Sequence, residues 1–178
     1  MARCAVLIDA GYFSKITKKF FGSAKVGMLK FSNNLCEGSY RVITYYYDCM
    51  PYQSGNPTRE EKKRYTNKQG FFTALNRLER FEVRLGRLQK RNKGFEQKGV
   101  DVKFVLDLSR LCRDGVIDKA IIVSGDSDFV PAVIEANEMG ITTQNVYYNY
   151  PQEFSFHLRD ACTDTKKITQ ELIDASLM

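Results

Sequence analysis

A chain of 178 residues that is 43% hydrophobic can bury a core without disulfide or metal staples, and a single domain over residues 1–178 is expected. Its formal charge of +6 is concentrated: residues 59–98 hold 13 Lys or Arg against 5 Asp or Glu, which leaves −2 for the rest. No apolar run approaches a bilayer span and Asp9 cuts the first one short, so neither a membrane segment nor a secretory signal is expected.

Taken in chain order, short β-branched runs alternate with stretches of helical period, the pattern of βαβ units around a mostly parallel sheet. The expected strands are residues 4–8 (CAVLI), 41–47 (RVITYYY), 81–88 (FEVRLGRL), 119–124 (KAIIVS) and 141–148 (ITTQNVYY). MPYQSGNPT and RNKGFEQKG read as turn-rich connections. Phe71, Leu75 and Leu78, with Ala74 and Phe81, form one apolar stripe, opposite Arg77 and Arg80. GVDVKFVLDLSRLC reads as a helix buried along Phe104, Val105, Leu108, Leu111 and Cys112, with Asp107 on a solvated face beside Lys103, Arg110 and Asp114. Pro131 suits a first helical turn and Gly140 a stop. DTKKITQELIDASL closes the chain as an expected last helix, with Ile168, Leu172 and Ile173 turned to the body.

The carboxylates then fall into place. In an open parallel sheet, ligands bind beyond the carboxyl ends of the strands. Asp9 ends the first strand, Asp48 the second, and Asp126 with Asp128 follow KAIIVS. Asp101 lies near the centre line of its helix stripe at the helix start, where it can point past the core into the same crevice with the helix dipole favouring its charge. Three have a plainer role: Asp128 or Asp101 as a helix cap, Asp48 as a turn residue; Asp9, after four apolar strand residues and before AG, is harder to explain that way. Four or five anions in one poorly solvated crevice repel by several kcal/mol, which a divalent cation relieves. An all-oxygen ligand set suits Mg²⁺ or Mn²⁺ rather than zinc.

Other chemistries lack their residues. One histidine, His157, with five scattered cysteines and no CxxC spacing, builds no ordinary zinc site. Four of those cysteines sit within or beside apolar runs, where small buried thiols are common, and the set reads as that of a reduced, cytoplasmic protein. No Walker loop or GxGxxG is present, and Ser124 and Ser127 lack a neighbouring base. The basic segment either attracts nucleic acid through phosphate neutralisation or is a solvated helix face. With Tyr52, Tyr65 and Phe95 interleaved, it could guide a single strand, and Lys62, Lys63 and Arg64 are its candidate contacts.

Together VLIDAGYF, RVITYYYD, KGVDVKFVLDL, IIVSGDSDFVPAV and LRDACTD resemble, in order, the NYN domains of the PIN-like nuclease superfamily, in particular the LabA-like branch. The resemblance implies a three-layer α/β/α sandwich with a mostly parallel central sheet. It also implies metal-dependent cleavage of RNA, with Mg²⁺ or Mn²⁺ held by Asp9, Asp101, Asp126 and Asp128, and Asp48 as a further candidate member. Many relatives place an Asn shortly after the first aspartate, whereas DAGYF has none. A non-catalytic nucleic-acid-binding or regulatory module is therefore the second reading, and a phosphohydrolase of small phosphate esters the third. The oligomeric state, homo-oligomer included, is left open.

Overall fold

The computed structural model describes residues 1–91 and 94–178. Seven strands, β1 (Arg3–Asp9), β2 (Tyr40–Cys49), β3 (Phe81–Arg91), β4 (Gly94–Lys98), β5 (Lys119–Val123), β6 (Thr142–Tyr147) and β7 (Asp164–Lys167), form one sheet in the order β4-β3-β2-β1-β5-β6-β7. Every pairing is parallel except β3 with β4. The five expected strands are present. The strand order reverses between β1 and β5, and that is where a crevice opens in such sheets.

Alternation along the buried strands sends side chains to two cores. Cys4, Val6, Ile8, Ile121 and Val123 face α1 (Ala10–Phe20), α2 (Met28–Leu35), the end of α3 (Arg59–Asn76) and α7 (Gln170–Asp174). Ala5, Leu7, Ala120 and Ile122 face α4 (Val100–Arg113), α5 (Val130–Glu138) and α6 (Phe156–Ala161). The result is the three-layer α/β/α sandwich. No helix among the described residues is long and apolar enough to cross a membrane.

Several expectations are corrected. In α3 the buried residues are Phe72 and Leu75, while Phe71 is 39% exposed. The helix stops at Asn76 and Phe81 belongs to β3, so a stripe running through Phe71, Leu78 and Phe81 does not exist as one helical face. Within RNKGFEQKG, residues 94–98 are a strand returning antiparallel along β3, and Asn92 and Lys93 lie outside the described residues. The expected last helix is split. Asp164–Lys167 pairs in parallel with β6, and Thr163 secures the register by donating its hydroxyl to the Thr143 carbonyl at 2.8 Å and accepting the Thr143 N–H at 2.9 Å. The helix proper starts after Thr169, whose side chain caps it. Ile168 and Ile173 do turn inward.

Gly86 in β3 sets where α4 begins. A β-carbon there would collide with Val100 Cγ2 and stand 2.8 Å from the Lys98 carbonyl oxygen and 3.1 Å from Cys49 Sγ. The missing side chain lets the first turn of α4, which carries Asp101, lie against β3. Lys103 Nζ fastens that turn by donating to the Leu85 carbonyl at 2.6 Å. Gly86→Ala is expected to destabilise the fold by about 1–3 kcal/mol, the usual range for overpacking. Denaturant unfolding measures this, and an unchanged midpoint would show that the contact is not tight.

Candidate functional site

Asp9 is the last residue of β1 and the N-cap of α1: its Oδ1 accepts the Tyr12 N–H at 3.1 Å. Its Oδ2 accepts from Ser124 Oγ, also at 3.1 Å. That hydroxyl in turn accepts the Asp126 N–H at 3.1 Å, so one serine ties the end of β1 to the loop after β5. Asn145 of β6 supports the same loop from below by donating to the Ser124 carbonyl at 3.0 Å. Asp126 Oδ1 accepts the Asp128 N–H at 2.9 Å, capping a 3₁₀ turn over Ser127–Phe129 that leads into α5. The capping role weighed for Asp128 thus falls to Asp126, which keeps Oδ2 for the crevice, while Asp128 is exposed.

Gly125 is required at this corner for space. A β-carbon there would stand 2.7 Å from the Tyr12 ring and 2.9 Å from the Glu153 carbonyl oxygen. Tyr12 is held at its far end, where its hydroxyl oxygen accepts the Tyr148 N–H at 2.9 Å. Glu153 is clamped by Lys15 at 2.7 Å and Lys19 at 2.6 Å, which anchors the loop after β6 on α1. DAGYF therefore puts a tyrosine at this corner, where it braces both acidic loops.

Asp101 stands in the first turn of α4, exposed on the crevice side rather than turned into the core. The four carboxylates sense one another. The Asp9 carboxyl is held above the usual range, first by burial and then by the charges of Asp101 and Asp126, against the lowering effect of its two hydrogen bonds. Asp101 is raised by desolvation and by Asp126 and Asp128. Among the described residues none of the four has an ion-pair partner. Equally, no group of three or more His, Cys, Asp or Glu side chains among the described residues stands close enough to enclose an ion on its own.

The other buried acids differ. Asp48, inside β2, accepts the Cys49 N–H at 2.7 Å and lies 2.5 Å from Lys68 Nζ, so its charge is already countered. Asp107 is 5% exposed, not solvated as expected. It accepts the Tyr47 hydroxyl at 3.1 Å and has Arg84 Nε 3.1 Å away. The buried arc of α4 is rotated towards Val100, which carries Asp107, seven residues on, inward with it.

Of the three candidate phosphate contacts, Arg64 lines a cleft of about 600 Å³ that it shares with Lys18, Lys68 and Phe71. Lys62 and Lys63 are exposed on other sides of α3. Ser124 and Tyr12 are the site residues that sequence reasoning missed as such. Ser124 carried a signal in its place at the end of KAIIV, and Tyr12 had none beyond its spacing from Asp9. His157 is exposed on α6 and lies outside the crevice.

The fold is similar to that of a crystal structure of a protein of unknown function from Vibrio parahaemolyticus RIMD 2210633, with a TM-score of 0.64 and 20% identity over 99% of this chain and 96% of that one. A chain from Parabacteroides merdae ATCC 43184 matches 96% of this chain with 32% of its own at 14% identity and a TM-score of 0.34, too slight a likeness to carry an argument. No curated protein matches the chain significantly. The family model for the NYN domain matches residues 3–169. With that match over nearly its whole length, and with its acidic crevice at the strand-order reversal, the chain belongs to the NYN-domain family of the PIN-like nuclease superfamily.

Proposed function

We propose that the protein is a divalent-metal-dependent ribonuclease in which Asp9, Asp101, Asp126 and Asp128 hold Mg²⁺ or Mn²⁺ at the β1/β5 crevice. The observation that carries this reading is the contrast among acids. Asp48, Asp107 and Glu153 each have cationic partners, whereas none of the four crevice carboxylates has one among the described residues, and Asp9 and Asp101 are raised by burial and then by the charges of their acidic neighbours. Such an arrangement fits a cation. The donors are all hard oxygens, and Mg²⁺ takes only one or two carboxylates directly and keeps several waters, so a shell of three touching side chains is not needed. NYN and PIN-like nucleases generally depend on divalent metals, and NYN domains generally bind RNA.

When bound, the cation supplies an acidified water and neutralises charge on the scissile phosphate. The chain's own residues do the positioning. Ser124 fixes the orientation of the Asp9 carboxylate, Asp126 holds its loop through its own cap, and the Tyr12–Gly125 contact keeps both in place. Asp48 is then a neighbour of the site, with Lys68 as its counter-ion. A non-catalytic nucleic-acid module is the second reading, favoured by the lack of a preassembled shell and by Tyr12 in DAGYF.

Incubation of labelled single-stranded RNA with the protein, with Mn²⁺ and with chelator, separates the two. Metal-dependent cleavage that Asp126→Asn abolishes, with the variant still folded, is the expected result; binding without cleavage would support the second reading. The melting temperature should rise with metal, because a ligand that binds only the folded state at about 100 times its Kd adds roughly 2.7 kcal/mol. Melts that coincide in millimolar Mg²⁺, millimolar Mn²⁺ and chelator would remove the metal site.

The metal-free chain also has a predictable pH response. Because Asp9 and Asp101 are raised, the native state binds more protons than the unfolded chain across the carboxylate range. The stability tied to those protons is fully present below the unfolded pKa values and is lost as pH rises through the folded ones. In chelator, Asp101→Asn should therefore melt higher than wild type at pH 7, and the difference should vanish in acid. A variant that melts at or below wild type at pH 7 would show that the repulsion is not felt.

A further inference from the structure

The helix α3 is 18 residues long, about 27 Å, yet its buried residues, Phe72 and Leu75, both lie near its C-terminal end. Packing therefore does not account for the rest of its length. Its start is instead fixed locally by a capping box, in which Thr58 Oγ1 accepts the Glu61 N–H at 3.2 Å and Glu61 Oε2 accepts the Thr58 N–H at 3.0 Å. Beyond that cap, Arg64, Asn67, Lys68 and Phe71 follow the spacing i, i+3, i+4, i+7, which puts them on one side of the helix. All four line the 600 Å³ cleft between α3, the C-terminal end of α1 and the residues that follow β2.

The lining has a definite chemistry. Lys18, Arg64 and Lys68 supply three cations, and among the described residues no carboxylate lines the cleft. Its floor is apolar, with Met50 and the half-exposed ring of Phe71. Lys68 does not swing freely: its ammonium stands 2.5 Å from Asp48 Oδ2 and 5.0 Å from the centre of the Phe72 ring. The cleft also adjoins the acidic crevice directly. Asp9 pairs with Tyr47 across β1 and β2, so Asp48, the next residue of β2, stands diagonally opposite Asp9 on the neighbouring strand.

We infer that this cleft is a subsite for one nucleotide of a single-stranded RNA, flanking the phosphate that enters the crevice. The backbone phosphate lies against Lys18, Arg64 and Lys68, and the base stacks over Phe71 and Met50. Lys18 and Arg64, which have no ion-pair partner among the described residues, beside the Asp48-held Lys68 select an anion, a volume of this size exceeds what a bare phosphate fills, and an exposed ring beside them suits a base. Asp48 is thereby a positioning residue for Lys68 rather than a member of the metal set. The inference rests on the reading of the protein as one that acts on RNA, and it is tested apart from cleavage.

The experiment is a binding titration of fluorescein-labelled single-stranded oligouridylate in chelator at several salt concentrations. It compares wild type, a Lys18→Ala/Arg64→Ala variant and a Lys62→Ala/Lys63→Ala variant that removes the same charge from other faces of α3. All four side chains are exposed, so folding is not at stake. Loss of contacts to a charged phosphate should weaken the cleft variant by at least about tenfold and lower its salt slope by about 0.7, the value for one phosphate on a single strand. The other variant should stay within about twofold of wild type. Equal losses in both variants would make the effect general charge and overturn the subsite, as would wild-type affinity in the cleft variant. If the cleft variant fails selectively while wild type with Mn²⁺ leaves the RNA intact, the subsite stands and the nuclease reading falls. Cleavage by wild type with unchanged binding by the cleft variant is the reverse case.

Discussion

The hydrogen bond from Ser124 Oγ to Asp9 Oδ2 spans the one place in the sheet where strand order reverses, and the geometry of the crevice depends on it. Neighbouring parallel strands diverge beyond their last ladder bond, so β1 and β5 alone would leave two separate acidic loop tips. Ser124 closes the gap because a hydroxyl can donate to Asp9 and accept from the Asp126 N–H at once. Asn145 then fixes the serine's backbone from β6, and the Tyr12 ring, seated against Gly125, fixes the loop from α1. Four elements hold two carboxylates that would separate if left to their own charge.

Elsewhere each buried acid among the described residues has a partner. Removing a carboxylate from water costs several kcal/mol unless charge or hydrogen bonds replace the solvent. Asp107 is met by Tyr47 and Arg84, Glu153 by two lysines and Asp48 by Lys68. Burial accordingly pushes the Tyr47 phenol well above its usual value, with Asp107 adding to it. Against that background, Asp9 and Asp101 are raised first by desolvation and then by neighbouring charge, Asp101 and Asp126 acting on Asp9, and Asp126 and Asp128 on Asp101. Charge is left uncompensated at that crevice while the buried acids among the described residues are paired, an arrangement in keeping with a site for a ligand.

Much of this was legible in the sequence, because buried parallel strands are continuous apolar runs and their ends are marked by the first charge. CAVLI followed by Asp9, and KAIIVS followed by Asp126, place the crevice without any tertiary information. What failed depends on contacts between distant segments. DTKK has helix-forming lysines and no apolar alternation, and it becomes a strand because β6 offers a free edge and Thr143 meets Thr163. Asp107 reads on a wheel as part of the solvated face with Lys103, Arg110 and Asp114, and it turns inward because Gly86 lets Val100 lie on β3, rotating the helix so that Tyr47 and Arg84 can reach it. The roles of Ser124 and Tyr12 were hidden for the same reason. Each acts through a partner more than a hundred residues away.

The charge distribution links the two halves of the site. The positive excess of the chain lies in residues 59–98, and the acidic crevice lies one strand away from the cleft that part of this excess lines. The Lys68–Asp48 pair stands at the border between them. On the proposed reading, an anionic backbone held on the basic side and extended over four carboxylates that have no ion-pair partner among the described residues would meet repulsion with every phosphate that crosses the border. A divalent cation in the crevice would reverse the sign of that encounter. Cation and strand would then favour each other's binding, and by linkage the factor would be the same in both directions. Such coupling would need no moving part, because the Lys68–Asp48 pair already joins the two surfaces.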